Sequence, residues 1–271
     1  MQPAILLPYQ QRWIKDDAPV KVIEKSRRIG LSYAEAADAV LHAGACSGAN
    51  VYYIAYDKEM TSGFIQDCAQ WARAFHAAAS EVQSSVIEQE DRQILTYAIN
   101  FDSGHKIQTF SSNPRNLRSK GRPGERLIVD EAAFVDNFPE LLKSAMAMTM
   151  WGGKVRMIST HNGVDNPFNA LVEDIRAGKF SYSLHRVTLD DALADGFFRR
   201  ICAVTGIDWS REAESAWREE LIKRYHPNAD EELFCIPAQS GGAWLSRALI
   251  ESRMSAATPV LRFNAPQGFE L

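Results

Sequence analysis

Two rhythms of apolar positions alternate along this chain. Short continuous apolar runs recur at Val20, Val22 and Ile23, at Val51-Tyr52-Tyr53-Ile54 within Asn50 to Ala55, at Leu127-Ile128-Val129, and from Lys154 to Ser159. Runs of this length, apolar on both faces, predict strands buried in a parallel sheet. Between them apolar residues return at helical spacing. Ala34, Ala37, Val40 and Leu41 share a face of a helix from Tyr33 to Ala45, closed by Gly44 and Gly48. Met60, Phe64, Cys68, Trp71 and Phe75 form a core-facing stripe on a helix that Asp57 is placed to cap. Further helices are predicted from Pro8 to Ile14, from Phe138 to Met150 with Asn137 as the cap, and from Asn166-Pro167 through Ala177. Val86 to Gln89, Gln93 to Asn100 and Lys106 to Phe110 predict a small strand-rich excursion, and Tyr182 to Leu189 a last strand.

Strands alternating with helices predict an α/β fold with a mostly parallel sheet. After Asp190 the pattern is helical only, over Phe197 to Val204, Glu212 to Tyr225 and Asp230 to Phe234. The pair Asp190-Asp191 reads as the start of a helix at this junction. The expected division is a core over residues 1–187, a helical lid over 188–240, and a linker over 241–271 that begins at Gly241-Gly242.

Composition adds bounds. With 271 residues, 46% of them hydrophobic and 24% charged, the chain is ordinary for a globular protein with a full core. A net charge of −4 excludes a grossly basic nucleic-acid coat but leaves room for local basic patches. Two occur: Lys21, Lys25, Arg27 and Arg28, and the polar loop from Ser111 to Gly124 with Arg115, Arg118, Lys120 and Arg122. The four cysteines, widely spaced and without a CxxC pair, are expected to be free thiols. No apolar run reaches membrane-span length, and Arg12, Lys15, Asp16 and Asp17 argue against a signal peptide. The histidines at 42, 76, 105, 185 and 226 lack metal-ligand spacing and read as surface or packing residues.

The chemistry concentrates at strand ends. Lys25-Ser26-Arg27-Arg28-Ile29-Gly30-Leu31-Ser32 lies between the first strand and a helix. This is the layout of a phosphate-binding loop, in which backbone N–H groups and the helix N-terminus face an anion and a hydroxyl ligates the accompanying Mg²⁺. The pattern GxxxxGK[ST] fails twice, with Lys25 for the first Gly and Leu31 for the Lys. Taken alone, the stretch reads equally as a basic surface turn. The Leu127 to Glu131 run ends in two carboxylates. On a strand next to the loop strand, Asp130 suits a Mg²⁺ ligand and Glu131 a general base. Ser159-Thr160 ends another strand, where small hydroxyls are able to contact the catalytic Glu or a phosphate. Tyr9-Gln10 precedes the loop strand, and the Gln amide has the donor and acceptor that match an adenine edge. Arg27, or Arg118 from a neighbouring subunit, is a candidate for stabilising charge in phosphoryl transfer; a basic loop touching a DNA backbone is the competing reading for Arg118.

In this order the motifs resemble the ATPase domain of phage terminase large subunits, the motors that package DNA into procapsids, in the form found in Mu-like phages. The likeness extends over roughly residues 5–245. Tyr9-Gln10 matches the family's adenine-binding segment. Lys25 to Ser32 is similar to the lambda-type Walker A variant, whose Lys has moved to the start of the loop. Leu127 to Glu131 matches Walker B, and Ser159-Thr160-His161 the coupling motif, where His161 replaces a residue more often small or proline. The resemblance implies a P-loop NTPase core of the ASCE, RecA-like type with a small helical lid. It implies ATP and Mg²⁺ as ligands, with Lys25 or Arg27 supplying the cation that Leu31 cannot. It implies double-stranded DNA, a portal protein and a small terminase subunit as partners, in a homo-oligomeric ring at the procapsid portal vertex in the host cytoplasm. The family's C-terminal ribonuclease H-like nuclease is expected to be missing, since few acids follow Gly241-Gly242. Two alternatives remain: a nucleotide-gated scaffold that barely hydrolyses ATP, and a helicase-like DNA-dependent ATPase, which would need a second RecA-like core.

Overall fold

The computed structural model describes residues 5–75, 83–89, 92–110, 112–117, 120–239 and 252–254, with only the backbone described for 83–89, 92–96 and 114. Its strands are β1 (Val20–Lys25), β2 (Val51–Ile54), β3 (Gln83–Gln89), β4 (Arg92–Asn100), β5 (Lys106–Phe110), β6 (Arg126–Asp130), β7 (Lys154–Ser159) and β8 (Ser183–Val187). Among the described residues they form one eight-stranded sheet in the order β3-β4-β5-β2-β6-β7-β1-β8. From β5 to β8 every pairing is parallel; β3-β4 and β4-β5 are antiparallel.

Two expectations about the sheet change. The strand-rich excursion is no separate unit, because β5 pairs parallel with β2 and continues the main sheet. Its alternating side chains reach both layers of the core: Ile107 packs on one face and Phe110 on the other. The acid-bearing strand is not next to the loop strand either. β7 lies between β6 and β1, in register with both. Strand order is a non-local property, so adjacency in sequence did not give it.

Helices cover both faces. α1 (Pro8–Lys15), α2 (Leu31–Gly44) and α3 (Lys58–Ala74) pack on one side with Trp13, Ile23, Ala36, Val40, Phe64 and Ile158. α4 (Phe138–Thr149) and α5 (Pro167–Arg176) cover the other with Phe138, Leu141, Val129, Met157 and Phe168. Two-sided cover explains why all six residues of β1 are buried. Asp57 caps α3 by accepting from the Met60 N–H at 2.8 Å. Asn166 caps α5 through the Phe168 N–H, with Pro167 in the first turn. Asn137 does not cap α4 with its side chain. Its backbone is left-handed (φ 52°), and its carbonyl instead accepts from Glu140 and Leu141.

Beyond β8 follow α6 (Leu189–Ala194), α7 (Phe197–Thr205), α8 (Arg211–Arg224) and α9 (Ala229–Phe234). α6 is the helix that Asp190-Asp191 was expected to start; it begins one residue earlier, at Leu189, and the last strand ends at Val187. Thr188 and Asp191 form a capping box, the Thr hydroxyl accepting from the Asp191 N–H and the Asp carboxylate from the Thr188 N–H. Asp190-Asp191 is thus a helix-start pair. Leu189, Leu193, Phe198, Cys202 and Leu233 make a third small core among these helices.

A buried ionic network seats α2 on the sheet. Arg156 of β7 pairs with Glu35 at 2.7 Å and Asp38 at 2.5 Å, and Arg126 of β6 pairs with Asp38 at 2.7 Å. The Trp13 indole donates to Glu35 from α1. Removing one member of such a set leaves a buried charge unpaired, so these contacts hold the start of α2 in a fixed place. Among the described residues no helix is long and apolar enough to cross a membrane.

Thiol reactivity checks this packing. Cys46 is exposed, whereas Cys68, Cys202 and Cys235 are buried. Burial raises the Cys68 thiol well above its ordinary value and pushes Cys235 up to about 12. An alkylating reagent at pH 8 is expected to modify one thiol quickly, at Cys46, and the other three only after denaturation. Two fast equivalents by mass spectrometry would contradict the packing around one of the buried three.

Candidate functional site

The C-terminal ends of β1, β6 and β7 converge on one cavity. Its volume is about 420 Å³, and Lys25, Arg27 to Ser32, Tyr56, Met60, Glu131, Phe134 and Thr160 line it. This is the end of a parallel sheet at which ligands bind.

The loop from Ser26 to Gly30 is held from several sides. Ser26 donates its N–H to the Val187 carbonyl at 2.7 Å, and Arg27 donates its N–H to Glu232 at 2.8 Å. Arg28 and Gly30 have left-handed backbones (φ 55° and 75°), which turn the chain tightly before α2 begins. From beneath, the Tyr9 hydroxyl donates to the Ile29 carbonyl and the Gln10 amide donates to Gly30 at 2.8 Å. A Cβ at Gly30 would stand 3.1 Å from that amide nitrogen, so glycine there serves both the turn and the brace. The Gln10 amide oxygen accepts the Leu7 N–H at 2.8 Å, and Tyr9 and Gln10 are 1% and 6% exposed. Both side chains face the loop backbone in this arrangement. Leu31 stands where a lysine was expected, and its side chain is part of the core with Ile29. Ser26 is fully buried, and its hydroxyl has no partner among the described residues.

The acid pair splits into two environments. Asp130 is wholly buried and accepts from the Ser32 hydroxyl at 2.5 Å, the Tyr53 hydroxyl at 2.9 Å and the Glu131 N–H at 3.0 Å. Burial raises its pKa above the ordinary carboxylate range, the Glu131 charge adds to this, and Lys25 and the two hydroxyls pull the other way. Burial also raises the Tyr53 phenol, with the Asp130 charge adding to it. Glu131 sits in a left-handed backbone (φ 49°) that turns its carboxylate into the cavity. One oxygen pairs with the Lys25 ammonium at 2.8 Å; the other accepts the Thr160 N–H at 3.4 Å. Lys25 is 4% exposed, so this ion pair is largely out of water.

The residues at the end of β7 divide their contacts. The Ser159 hydroxyl accepts the Ala133 N–H at 3.0 Å, joining β7 to the turn after β6. Thr160 meets Glu131 through its backbone, not its hydroxyl. His161 is buried and turns away from the cavity, with Nε2 2.8 Å from Glu24 on β1. Arg176 reaches the other oxygen of Glu24. Arg118 lies outside the described residues; Arg115 is exposed in a short turn (Pro114–Leu117) and does not line the cavity.

Three contributors escaped the sequence reading. Tyr53 lies inside an apolar run and reads as core; its one signal is a phenol on the strand beside the acid strand. Tyr56 and Phe134 flank the cavity with ring centroids 6.0 Å apart. Neither belongs to a motif.

The donor set suits a hard cation. The Ser32 hydroxyl and the Asp130 carboxylate place oxygens together, and among the described residues no cluster of three His, Cys, Asp or Glu side chains occurs. An oxygen pair of this kind would suit Mg²⁺, which takes one or two protein oxygens and completes its shell with phosphates and water. Three cations and one cavity-facing carboxylate together match the demands of phosphoryl transfer to water.

Comparison with known proteins bears on the same arrangement. Residues 22–252 match the family model for the N-terminal part of terminase large subunits of the T4likevirus type. The chain is 51% identical over 278 residues to the probable terminase large subunit gp28 of Escherichia phage Mu, covering 98% of this chain and 50% of that protein. It is 48% identical over 271 residues to the Mu-like prophage FluMu protein gp28 of Haemophilus influenzae, covering 98% and 53%. The chain thus spans about half the length of the curated relatives it matches. Among solved structures, the large terminase ATPase domain of Thermus phage P74-26 superposes with a TM-score of 0.55 at 17% identity, over 85% of this chain and 93% of that one. At that identity the likeness speaks to the fold.

Proposed function

The chain belongs to the family of phage terminase large subunits, and we propose on that footing that it hydrolyses ATP to drive double-stranded DNA into a procapsid. The observation that carries the reading is the convergence of Lys25, Ser32, Glu131 and Thr160 on one cavity, with the buried Asp130 hydrogen-bonded to the Ser32 hydroxyl behind it. In this reading the triphosphate lies on the loop, its oxygens met by backbone N–H groups and by Lys25 and Arg27. Ser32 and Asp130 would hold Mg²⁺, which would supply positive charge to offset that of the phosphates. Glu131 takes the proton of the attacking water as its oxygen bonds to the γ-phosphorus and ADP leaves. Tyr9 and Gln10 serve nucleotide binding by fixing the loop's carbonyls, and through them the direction of its amides. Ser159, Thr160 and His161 tie the end of β7 to Glu131, to the turn after β6 and to β1, which is how hydrolysis would be felt elsewhere in the core. The helices α6 to α9 form the lid. In assembled form the chain would work as a ring on a portal protein, with a small terminase subunit, in the host cytoplasm. Arg27, or Arg118 of a neighbour, is the proposed source of positive charge at the transferred phosphoryl group.

Steady-state phosphate release with the full chain tests this. Turnover that requires Mg²⁺ and rises with duplex DNA is the expected result. ATP binding with no turnover under any condition would favour the scaffold reading instead; no binding at all would remove both.

A further inference from the structure

Two consecutive carboxylates of α9 reach two different loops of the site. Glu232 takes the phosphate loop: its carbonyl accepts the Arg27 N–H at 2.8 Å, and one carboxylate oxygen pairs with the Arg27 guanidinium at 2.7 Å. The other carboxylate oxygen is buried without a partner among the described residues. Glu231 takes the loop after β7, accepting the Gly163 N–H at 2.5 Å and the Ala238 N–H at 3.0 Å. Val164 then donates to the Ala238 carbonyl at 2.9 Å. Adjacent residues of a helix project about 100° apart, so one short helix is able to grip both loops at once. Arg27 also lines the cavity, and its side chain is 44% exposed. One guanidinium therefore stands between a carboxylate and the place assigned to the phosphates.

We propose that Glu231 and Glu232 form a two-sided clasp that links the phosphate site to the loop following β7. Glu232 competes with the triphosphate for Arg27, and Glu231 holds the Gly163 loop to the same helix. Both are positioning residues, since they act through Arg27 and Gly163 and not on the substrate. The clasp rests on the reading of the cavity as a nucleotide site. It goes beyond that reading by naming the element through which phosphate occupancy reaches the end of the coupling strand.

The test uses the full chain, with a fluorescent ATP analogue for affinity and phosphate release for kcat. Glu232→Gln removes the competing charge and leaves the backbone bond. It is expected to tighten nucleotide binding about three- to fivefold, the scale of a partly exposed ion pair, and to have no such effect in an Arg27→Ala background. Glu231→Ala is expected to keep affinity within about twofold and to lower kcat about tenfold, as a displaced loop does; Glu231→Gln, whose amide oxygen still accepts, should recover most of it. A merely structural contact would lower the melting temperature without tightening binding, and that outcome overturns the clasp. So does a Glu232→Gln effect that persists without Arg27. Failure of the unaltered protein to bind the analogue would instead overturn the nucleotide reading itself, and the clasp with it.

Discussion

Glu131→Gln is expected to leave ATP binding within about threefold of the unaltered protein and to cut hydrolysis by roughly 10²–10⁴, the usual contribution of a positioned general base. The amide keeps the volume of the carboxylate and is able to accept the Thr160 N–H as before. It lacks the charge that attracts the proton of an attacking water. Binding should survive for a second reason. Glu131 holds Lys25 at 2.8 Å, so neutralising it frees a buried ammonium to face the phosphates. Any change in affinity should therefore be toward tighter binding. Single-turnover phosphate release gives the chemical step, and titration with a fluorescent ATP analogue gives affinity. Near-normal turnover would sink the general-base assignment and shift attention to Asp130. That residue is a poor base as placed, since its oxygens already accept from Ser32, Tyr53 and the Glu131 N–H and none of it reaches solvent.

What could be read from the sequence and what could not follows the reach of each interaction. Strands with apolar side chains on both faces announce themselves locally, and so does a basic Gly-containing turn before a helix. Hence the α/β class, the loop from Lys25 to Ser32 and the acid pair Asp130-Glu131 were visible. The place of β7 between β6 and β1, and of β5 beside β2, depends on pairings between segments far apart in the chain. The same holds for the site's most informative contact. Lys25 and Glu131 are 106 residues apart, and nothing in either motif says that they pair. Tyr53 was hidden because a phenol in an apolar strand looks like packing until its hydroxyl is found against Asp130. Glu231 and Glu232 were hidden because acids in the first turn of a helix are commonplace. The Gln10 amide, read from the sequence as a match for an adenine edge, makes its bonds within the chain to Leu7 and Gly30. Leu31 is the departure that the fold accounts for most simply. The lysine's place is filled by a side chain that belongs to the core, while a cation enters the same cavity from the end of β1.

That displaced cation gives the second large effect. Lys25→Ala is expected to weaken ATP binding about 10- to 100-fold, corresponding to the roughly 1.5–3 kcal/mol of a hydrogen bond to a charged group in a shielded site. Lys21→Ala is the control of the same chemistry on the same strand. Lys21 is buried too, but its ammonium donates to the Trp13 and Asp16 carbonyls at the end of α1 and lies 4.3 Å from the Trp13 ring centroid. Burial, with Arg156 nearby, lowers its pKa to about 8, so it carries a strained charge that has no line to the cavity. Its loss should appear in thermal stability and leave nucleotide affinity within about twofold. The two variants thus separate a lysine that serves the fold from one that serves the ligand, four positions apart in the chain. Lys25→Ala also strips Glu131 of its cation, so the carboxylate would face the γ-phosphate uncompensated, and repulsion between the two adds to the loss of affinity. Combining the substitutions separates the two contributions: in Glu131→Gln the repelling charge is gone and the ammonium is free for the phosphates, so the further loss on adding Lys25→Ala measures the direct contact of the cation alone. Equal losses of affinity for Lys21→Ala and Lys25→Ala would mean that the cation at the head of the loop has no special place at the phosphates, and that Arg27 alone carries the charge that Leu31 lacks.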